Sequence, residues 1–251
     1  GAGSVFLLSA AVLLLAIASL ARVEHRSTPT NESAGVQAVI ADVGQGFIHV
    51  WNDPRLRLVI GFVVFHCSFT MAFNALLPRL ATDLGGGSST FSMLMVGVGA
   101  GAIVGTLAIS MVRDEAARGL ALATVGVGSG LAMLVMGLAN SPAIAVIGAV
   151  LAGGTQATYM AISQMLLQHI VPDALRGRVL AIYAMMAAGH MAMITLGFGT
   201  FADSVGVRSL MVVPGLLWVV LFLTAALLMS DLRHVLLHGS FRLQSDASVE
   251  A

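Results

Sequence analysis

Polar side chains interrupt otherwise apolar stretches of this chain at helical spacing, and these are the positions where binding or proton transfer could occur. They form three sets: His66, Thr70 and Asn74; Thr155, Gln156 and Tyr159; and Tyr183 and His190. Residues four apart share one face of a helix. Polar groups are costly in lipid, so each face should turn toward other helices or a water-filled cavity. Two roles stay open for each set, which are lining a ligand cavity and hydrogen bonding between helices.

Two of these residues, His66 and His190, are the titratable side chains that lie well inside the apolar stretches. Imidazole titrates near physiological pH, so either histidine could carry a proton. The acidic residues lie at the ends of the apolar stretches or between them. The two dispersed histidines lack the clustered partners of an enzyme active site. We therefore expect no catalytic site, no metal and no cofactor.

The composition indicates a membrane protein. Of the 251 residues, 58% are hydrophobic and 10% are charged, whereas about 25% are charged in soluble domains. A chain of this size cannot bury so much apolar surface in its own core, so a lipid bilayer must cover part of it. The net charge of +0 argues against a nucleic-acid partner. The single cysteine, Cys67, lies inside an apolar stretch and is expected to be a small buried hydrophobe.

Seven stretches are long and apolar enough to be transmembrane helices, which need about 20 residues. They are residues 4–21, 58–77, 91–112, 119–138, 143–170, 180–202 and 209–229. All 12 basic residues are arginines, and ten of them fall in alternate connections. Basic residues concentrate on the cytoplasmic side of membrane proteins. The pattern therefore predicts that the N-terminus lies outside, and that the connections 22–57, 113–118 and 171–178 and the C-terminal tail lie in the cytoplasm.

The long connection divides the chain into one helix followed by six. We interpret residues 1–21 as the last helix of an N-terminal bundle, 22–57 as a cytoplasmic central linker, 58–230 as a six-helix C-terminal bundle and 231–251 as a cytoplasmic tail. Within the linker, apolar residues at helical spacing over 36–51 predict an amphipathic helix at the membrane interface. Because residue 1 is Gly and an apolar run begins at residue 4, we expect the chain to start inside a longer protein whose N-terminal half is missing.

Glycines recur at every fourth residue in the third stretch, at Gly97, Gly101 and Gly105. In an apolar helix such a ladder lets the backbone of another helix approach closely. We therefore predict a packing role for these glycines rather than a nucleotide-binding loop, for which no strand accompanies them. Gly126 and Gly130 repeat the spacing in the next stretch.

Three short motifs occur in a fixed order along the chain. A W-x-x-P-x-L-R segment before the second stretch consists of Trp51, Pro54, Leu56 and Arg57. A P-x-x-x-R-G-R-V elbow between the fifth and sixth consists of Pro172, Arg176, Gly177, Arg178 and Val179. A G-x-x-A-D-x-x-G-x-R turn between the sixth and seventh consists of Gly199, Ala202, Asp203, Gly206 and Arg208. In this order the motifs resemble the major facilitator superfamily, and within it the exporters of the enterobactin-exporter and macrolide-efflux type.

The resemblance implies an all-α integral membrane protein with seven transmembrane helices, the last six forming the C-terminal bundle of a major facilitator superfamily fold. It implies a secondary active transporter of the bacterial inner membrane that exports small amphipathic molecules, of drug, macrolide or siderophore type, by proton-coupled alternating access. In this family the seventh, eighth, tenth and eleventh helices line a central cavity, so the three polar sets would bind substrate. The implied partners are the lipid bilayer, the missing N-terminal half, a small-molecule substrate and the proton.

The elbow is expected to act at the cytoplasmic gate through Pro172, Asp173, Arg176 and Arg178. Pro172 cannot continue a helix interior, because it lacks an N–H group and its ring clashes with the preceding turn. Asp173 is a residue type that can cap the next helix. The two arginines lie where a chain leaves the bilayer on its cytoplasmic side.

A stand-alone seven-helix sensor or receptor has the same predicted topology, and an intramembrane enzyme is a third class. A retinal-binding receptor needs a Schiff-base lysine and this chain has none, and one cysteine cannot form the extracellular disulfide of many receptors. These observations and the elbow motif favour the transporter over the sensor.

Overall fold

The computed structural model describes residues 2–21 and 36–241, and this part of the chain contains ten α-helices. They are α1 (Ala2–Leu20), α2 (Val36–Asn52), α3 (Pro54–His66), α4 (Leu77–Asp83), α5 (Gly87–Ser110), α6 (Glu115–Gly137), α7 (Pro142–Ile170), α8 (Asp173–Val205), α9 (Val207–Leu228) and α10 (Ser230–His238). A π-helical turn (Cys67–Met71) and a 3₁₀ turn (Ala72–Leu76) join α3 to α4. The predicted linker segment 22–35 and the tail beyond residue 241 lie outside the described residues.

The chain divides into two compact units, residues 1–41 and 42–251. The first unit contains α1, an apolar helix of 19 residues that corresponds to the predicted span 4–21. Among the described residues, six helical segments have the length and composition of membrane spans. They are Pro54–Asp83, Gly87–Ser110, Glu115–Gly137, Pro142–Ile170, Asp173–Val205 and Val207–Leu228. The predicted all-α membrane fold is therefore confirmed, and these six segments match the second to seventh predicted spans.

Local sequence explains where several of these helices begin. Asp53 caps α3 by accepting a hydrogen bond from the Arg55 backbone N–H at 2.9 Å, and Pro54 occupies the first turn. Asp114 caps α6 in the same way through the Ala117 N–H at 2.7 Å. Such caps satisfy backbone donors that have no partner inside the helix. Between α8 and α9, Gly206 has a φ of +86°, which favours glycine and makes the turn sharp.

The elbow is shorter than the sequence predicted, and the proposed role of Asp173 as a cap is wrong. Because α7 continues to Ile170 and α8 begins at Asp173, only two residues connect the helices. Pro172 holds the capping position and makes no side-chain hydrogen bond, while Asp173 lies inside the first turn. There its carboxylate pairs with Arg176, one turn later along α8. An acidic residue in the first turn still interacts favourably with the helix dipole.

The predicted helix over 36–51 is present as α2, and its location at the membrane interface stays a prediction. Its second half packs beside the start of α8, since the Arg178 guanidinium donates to the Gln45 side-chain oxygen at 2.9 Å. Gly46 lies against the side chain of Ile182. Trp51 at the end of the helix is 67% exposed, and the Arg57 guanidinium lies 5.9 Å from its ring centre.

Two seams of glycine hold the six-span unit together. In the first, Gly101 and Gly105 of α5 lie directly on the backbone of α7 at Val150 and Gly154. In the second, α6 meets α9, where Gly130 contacts the carbonyl of Gly215. A Cβ atom at these positions would overlap the facing helix. Small residues permit this close approach, which favours helix association in lipid.

The arginine-bearing connections lie at the ends of the helices, and the side of the membrane on which each end lies stays a prediction. At one end, the starts of α3 and α6 and the ends of α7 and α10 surround a cavity of about 370 Å³. Its lining includes Arg55, Arg118 and His169. At the other end, Arg79 of α4 pairs with Asp203 of α8 at 2.9 Å. The arginine-rich connections thus meet at one end of the bundle. The first part of the predicted tail, 231–251, is helical and belongs to α10. This helix packs on Gly119 of α6 through the Val235 backbone.

The α5–α7 seam predicts opposite effects for two neighbouring glycines. Gly101→Ala should lower the unfolding temperature in detergent and cost about 1–3 kcal/mol, because its methyl group overlaps the Val150 carbonyl. Gly99→Ala is the matched control, since nothing lies within 4 Å of a Cβ there. Alanine is the better helix former, so this variant should unfold at the same or a higher temperature. Equal destabilisation of both variants would show that the seam is not tightly packed.

The cap at Asp53 predicts a pH-dependent stability. Burial alone raises the pKa of this carboxyl, but hydrogen bonds and the charge of Arg55 outweigh burial and hold the pKa below its usual value of 3.8. The ionised carboxylate therefore stabilises the fold above about pH 4, and this contribution is lost as the pH falls through the lowered pKa. Asp53→Asn keeps a cap but removes the charge. The variant should unfold at a lower temperature than the parent at pH 7 and at the same temperature near pH 2. A difference in unfolding temperature that grows as the pH is lowered would contradict this account.

Candidate functional site

The centre of the bundle is organised by a hydrogen bond between α7 and the irregular segment that joins α3 to α4. The π turn closes hydrogen bonds five residues apart and the 3₁₀ turn closes them three apart, so the regular helical ladder is interrupted where they meet. At this point the Thr70 carbonyl accepts a hydrogen bond from the side-chain amide of Gln156. Both residues are buried. The amide thus supplies a donor that neither lipid nor water provides here.

An aromatic cluster lies beside this bond. The His66 ring stacks on Tyr159 with 3.9 Å between ring centres, and the edge of Trp218 approaches the same imidazole at 5.1 Å. The Trp218 indole N–H donates to the Gly126 carbonyl at 2.7 Å, and Phe222 packs against the Trp218 ring. The cluster therefore joins α3, α6, α7 and α9.

His66 is fully buried within this cluster. Neither of its ring nitrogens has a hydrogen-bond partner among the residues that the structure describes. Burying a polar group without a partner costs free energy, so the position of His66 depends on its ring contacts rather than on hydrogen bonds.

The structure separates the predicted substrate-binding residues into a buried group and a more exposed group. His66, Thr70, Gln156 and Tyr159 meet inside the bundle, and Tyr183 is also buried, with its hydroxyl 3.7 Å from the sulfur of Met160. Of these residues, Gln156 hydrogen-bonds to another helical segment, whereas His66 and Tyr159 meet by ring stacking. In this conformation the buried residues are shielded from any molecule outside the bundle.

Asn74 is not buried together with His66 and Thr70, although the sequence placed the three residues on one helix face. A π turn and a 3₁₀ turn replace the regular helical repeat between His66 and Asn74. Asn74 is exposed, and its side-chain amide donates to the Met71 carbonyl at 2.9 Å.

Two further predicted residues, Thr155 and His190, are partly exposed. The Thr155 hydroxyl donates to the Leu151 carbonyl of its own helix at 2.7 Å. The His190 Nδ1 atom lies 2.9 Å from the Met186 carbonyl, also within one helix. Both polar groups are therefore satisfied locally and still reach the surface of the bundle.

The elbow residues form local contacts at the arginine-rich end. Arg176 pairs with Asp173 and lies 3.5 Å from the Gln168 carbonyl at the end of α7, so it ties the two helices across the elbow. Arg178 instead contacts Gln45 of α2. Pro172 is exposed between the helices. Whether these residues control access to a cavity stays a prediction.

Sequence reasoning missed Trp218 and Phe222, which close the aromatic cluster. An aromatic residue in an apolar helix has no distinctive spacing, so only the facing glycine at Gly126 could have indicated a large partner. The described residues contain no group of three or more His, Cys, Asp or Glu side chains that is suited to a metal ion.

The fold and the site define a class of protein. Six antiparallel spans, glycine seams and an arginine-bearing elbow are features of a transporter half-bundle. The family model described as transmembrane secretion effector matches residues 1–239. The chain belongs to this family of the major facilitator superfamily, which confirms the resemblance found in its motifs. It is a multi-pass membrane protein.

One curated relative is the multidrug efflux pump Tap of Mycolicibacterium fortuitum. It is 28% identical to this chain over 200 residues, which cover 78% of the chain and 47% of Tap. The chain therefore spans about half the length of this relative. No solved structure matches the chain.

The different bonding of Gln156 and His66 gives a prediction about stability. Gln156→Leu removes the donor to the buried Thr70 carbonyl and should cost about 1–3 kcal/mol, seen as a lower unfolding temperature in detergent. His66→Phe keeps a ring against Tyr159 and loses no hydrogen bond. It should unfold at or above the temperature of the parent. Destabilisation by His66→Phe equal to that by Gln156→Leu would show that an imidazole nitrogen is hydrogen-bonded after all.

Proposed function

We propose that this chain forms the C-terminal half of a secondary active exporter of small amphipathic molecules. The observation that carries the proposal is the similarity to the multidrug efflux pump Tap, together with a family match over residues 1–239. The family also favours a transporter over the seven-helix sensor and over an intramembrane enzyme. The proposed location is the bacterial inner membrane, with the N-terminus of the chain outside and the C-terminus in the cytoplasm, as the arginine distribution indicates.

Exposed polar residues within the membrane spans support a binding surface. Asn74, Gln164 and His190 are at least partly exposed and lie within the membrane spans of α3–α4, α7 and α8. Exposure to lipid would be costly for an amide or an imidazole. We therefore assign these three residues to a surface that faces water or another bundle. The resemblance gives the same helices to the wall of the central cavity.

The second half of the exporter is the partner that this surface requires. Tap is about twice the length matched here, since the alignment covers 47% of it. An N-terminal bundle of the same transporter would cover the exposed polar residues and close the cavity. Substrate would then bind between the two bundles and reach either side of the membrane by alternating access.

The proposal also includes coupling of export to the movement of protons. The acidic residues of the described chain lie outside the membrane spans or near their ends, as Asp83, Asp114 and Asp203 do. His190 is partly exposed within a span, so its imidazole is accessible to a water-filled cavity between the two halves. A coupling carboxylate would then come from the N-terminal half.

Efflux measurements on the gene product that carries this chain test the proposal. Cells of a drug-sensitive host that express it should accumulate less of a fluorescent lipophilic dye and of a macrolide, and a protonophore should restore accumulation. Asn74→Ala and His190→Ala should each reduce efflux several-fold without lowering the amount of protein in the membrane.

Thr124→Ala is the matched control, because Thr124 is an exposed polar residue on α6, which the family does not place at the cavity. It should leave efflux unchanged. Normal accumulation of every compound in expressing cells would refute export. If export is active and neither Asn74→Ala nor His190→Ala changes it, these residues do not belong to the binding surface.

A further inference from the structure

Three sulfur atoms meet where the π turn packs against α7. The Cys67 thiol lies 3.7 Å from the Met71 thioether sulfur and 3.8 Å from the Met160 thioether sulfur. Cys67 and Met71 come from the first and last positions of the π turn, while Met160 comes from α7. Cys67 is 2% exposed, and both methionines are partly buried. The sulfurs thus converge from two helical segments, with the thiol buried between them.

From this geometry we infer that Cys67, Met71 and Met160 form a binding site for a soft monovalent cation, either Cu(I) or Ag(I). Thiolate and thioether sulfurs are the donors that such ions prefer. The Cys67 sulfur lies within 4 Å of each thioether sulfur, a separation that one ion bound to both sulfurs of a pair can span.

The charge of the site selects a monovalent ion. On binding, the sulfur–hydrogen bond of Cys67 breaks, a sulfur–metal bond forms and the proton leaves to solvent. No electron is transferred, and the two thioethers are neutral. A cation of charge +1 therefore replaces a proton of charge +1, and the net charge of the apolar bundle does not change. A divalent ion would leave one uncompensated positive charge in this environment, which is costly.

His66 adjoins the proposed site in the chain, and its ring contacts are with Tyr159 and Trp218. It precedes Cys67 in the chain, is fully buried, and has two ring nitrogens without a hydrogen-bond partner among the described residues. Imidazole nitrogen is also a ligand for copper. The irregular segment therefore concentrates a thiol, a thioether and an unpaired imidazole within six consecutive residues, 66–71, while α7 provides the second thioether.

Titration of the purified chain in detergent with silver nitrate tests the inference. The chain should bind one Ag(I) with high affinity and release one proton. Affinity should fall about tenfold for each unit that the pH is lowered while the thiol is protonated, because one proton is exchanged. Zn(II) should bind far more weakly at this site.

Variants identify the ligands. Cys67→Ala should abolish the tight site and the proton release, and Met71→Leu and Met160→Leu should each weaken binding roughly tenfold or more because a soft donor is lost. Exchange of methionine for leucine conserves volume, so these variants should fold. Met93→Leu is the control, since Met93 is 57% exposed on α5, away from the sulfur cluster.

The binding data separate a site from ordinary sulfur packing. The inference is refuted if Cys67→Ala binds Ag(I) as tightly as the parent, or if no proton is released. It is also refuted if Met71→Leu and Met160→Leu both retain full affinity while their unfolding temperatures match the parent. If Cys67→Ala does not fold, Cys67→Ser takes its place and must also lose the tight Ag(I) site. These measurements do not depend on transport, so they stand apart from the test of export.

Discussion

The bond from the Gln156 amide to the Thr70 carbonyl is the constraint on which the centre of this bundle depends. A carbonyl released from a helical ladder has no water to bond in a bilayer, so the protein itself must supply the donor. The Gln156 amide of α7 supplies such a donor where the bonding between α3 and α4 changes from π to 3₁₀. The bond also fixes the rotation of α7. One turn further on, Tyr159 then faces the ring of His66.

The glycine seams hold other pairs of helices close together. Between apolar helices in lipid there is little hydrophobic driving force, so association depends on close packing and on bonds between helices. Gly101 brings α5 onto the backbone of α7, and Gly130 brings α6 onto α9. The same absence of a Cβ at Gly126 admits the ring of Phe222 and leaves the carbonyl within reach of the Trp218 indole. The positions of small residues thus determine which helices pack against each other, although the helices are similar in composition.

The sequence predicts the spans well because one physical quantity, the thickness of the bilayer, sets their length. The glycine ladder is equally evident in the sequence, since a spacing of four residues places the glycines on one face of a helix. Spacing did not predict that Asn74 is exposed while His66 is buried, because it assumes a continuous α-helix and a π turn and a 3₁₀ turn interrupt that helix. Nothing in the composition of residues 67–71 marks that turn. Spacing also shows only that a polar face avoids lipid; it does not show whether the neighbour is a helix, as for His66, or an open surface, as for His190.

Burial therefore separates two kinds of polar residue that look alike in the sequence. Breaking the bond of Gln156 would leave a buried carbonyl unpaired, so α7 and the α3–α4 segment should move as one body during any change of conformation. Asn74 and His190 bond only within their own helical segments and keep an exposed surface. The groups outside the bundle that contact these two residues can therefore change without disturbing the bundle. In a protein that alternates between two states, such residues are suited to contact a molecule that enters and leaves, whereas the buried residues keep the half-bundle intact.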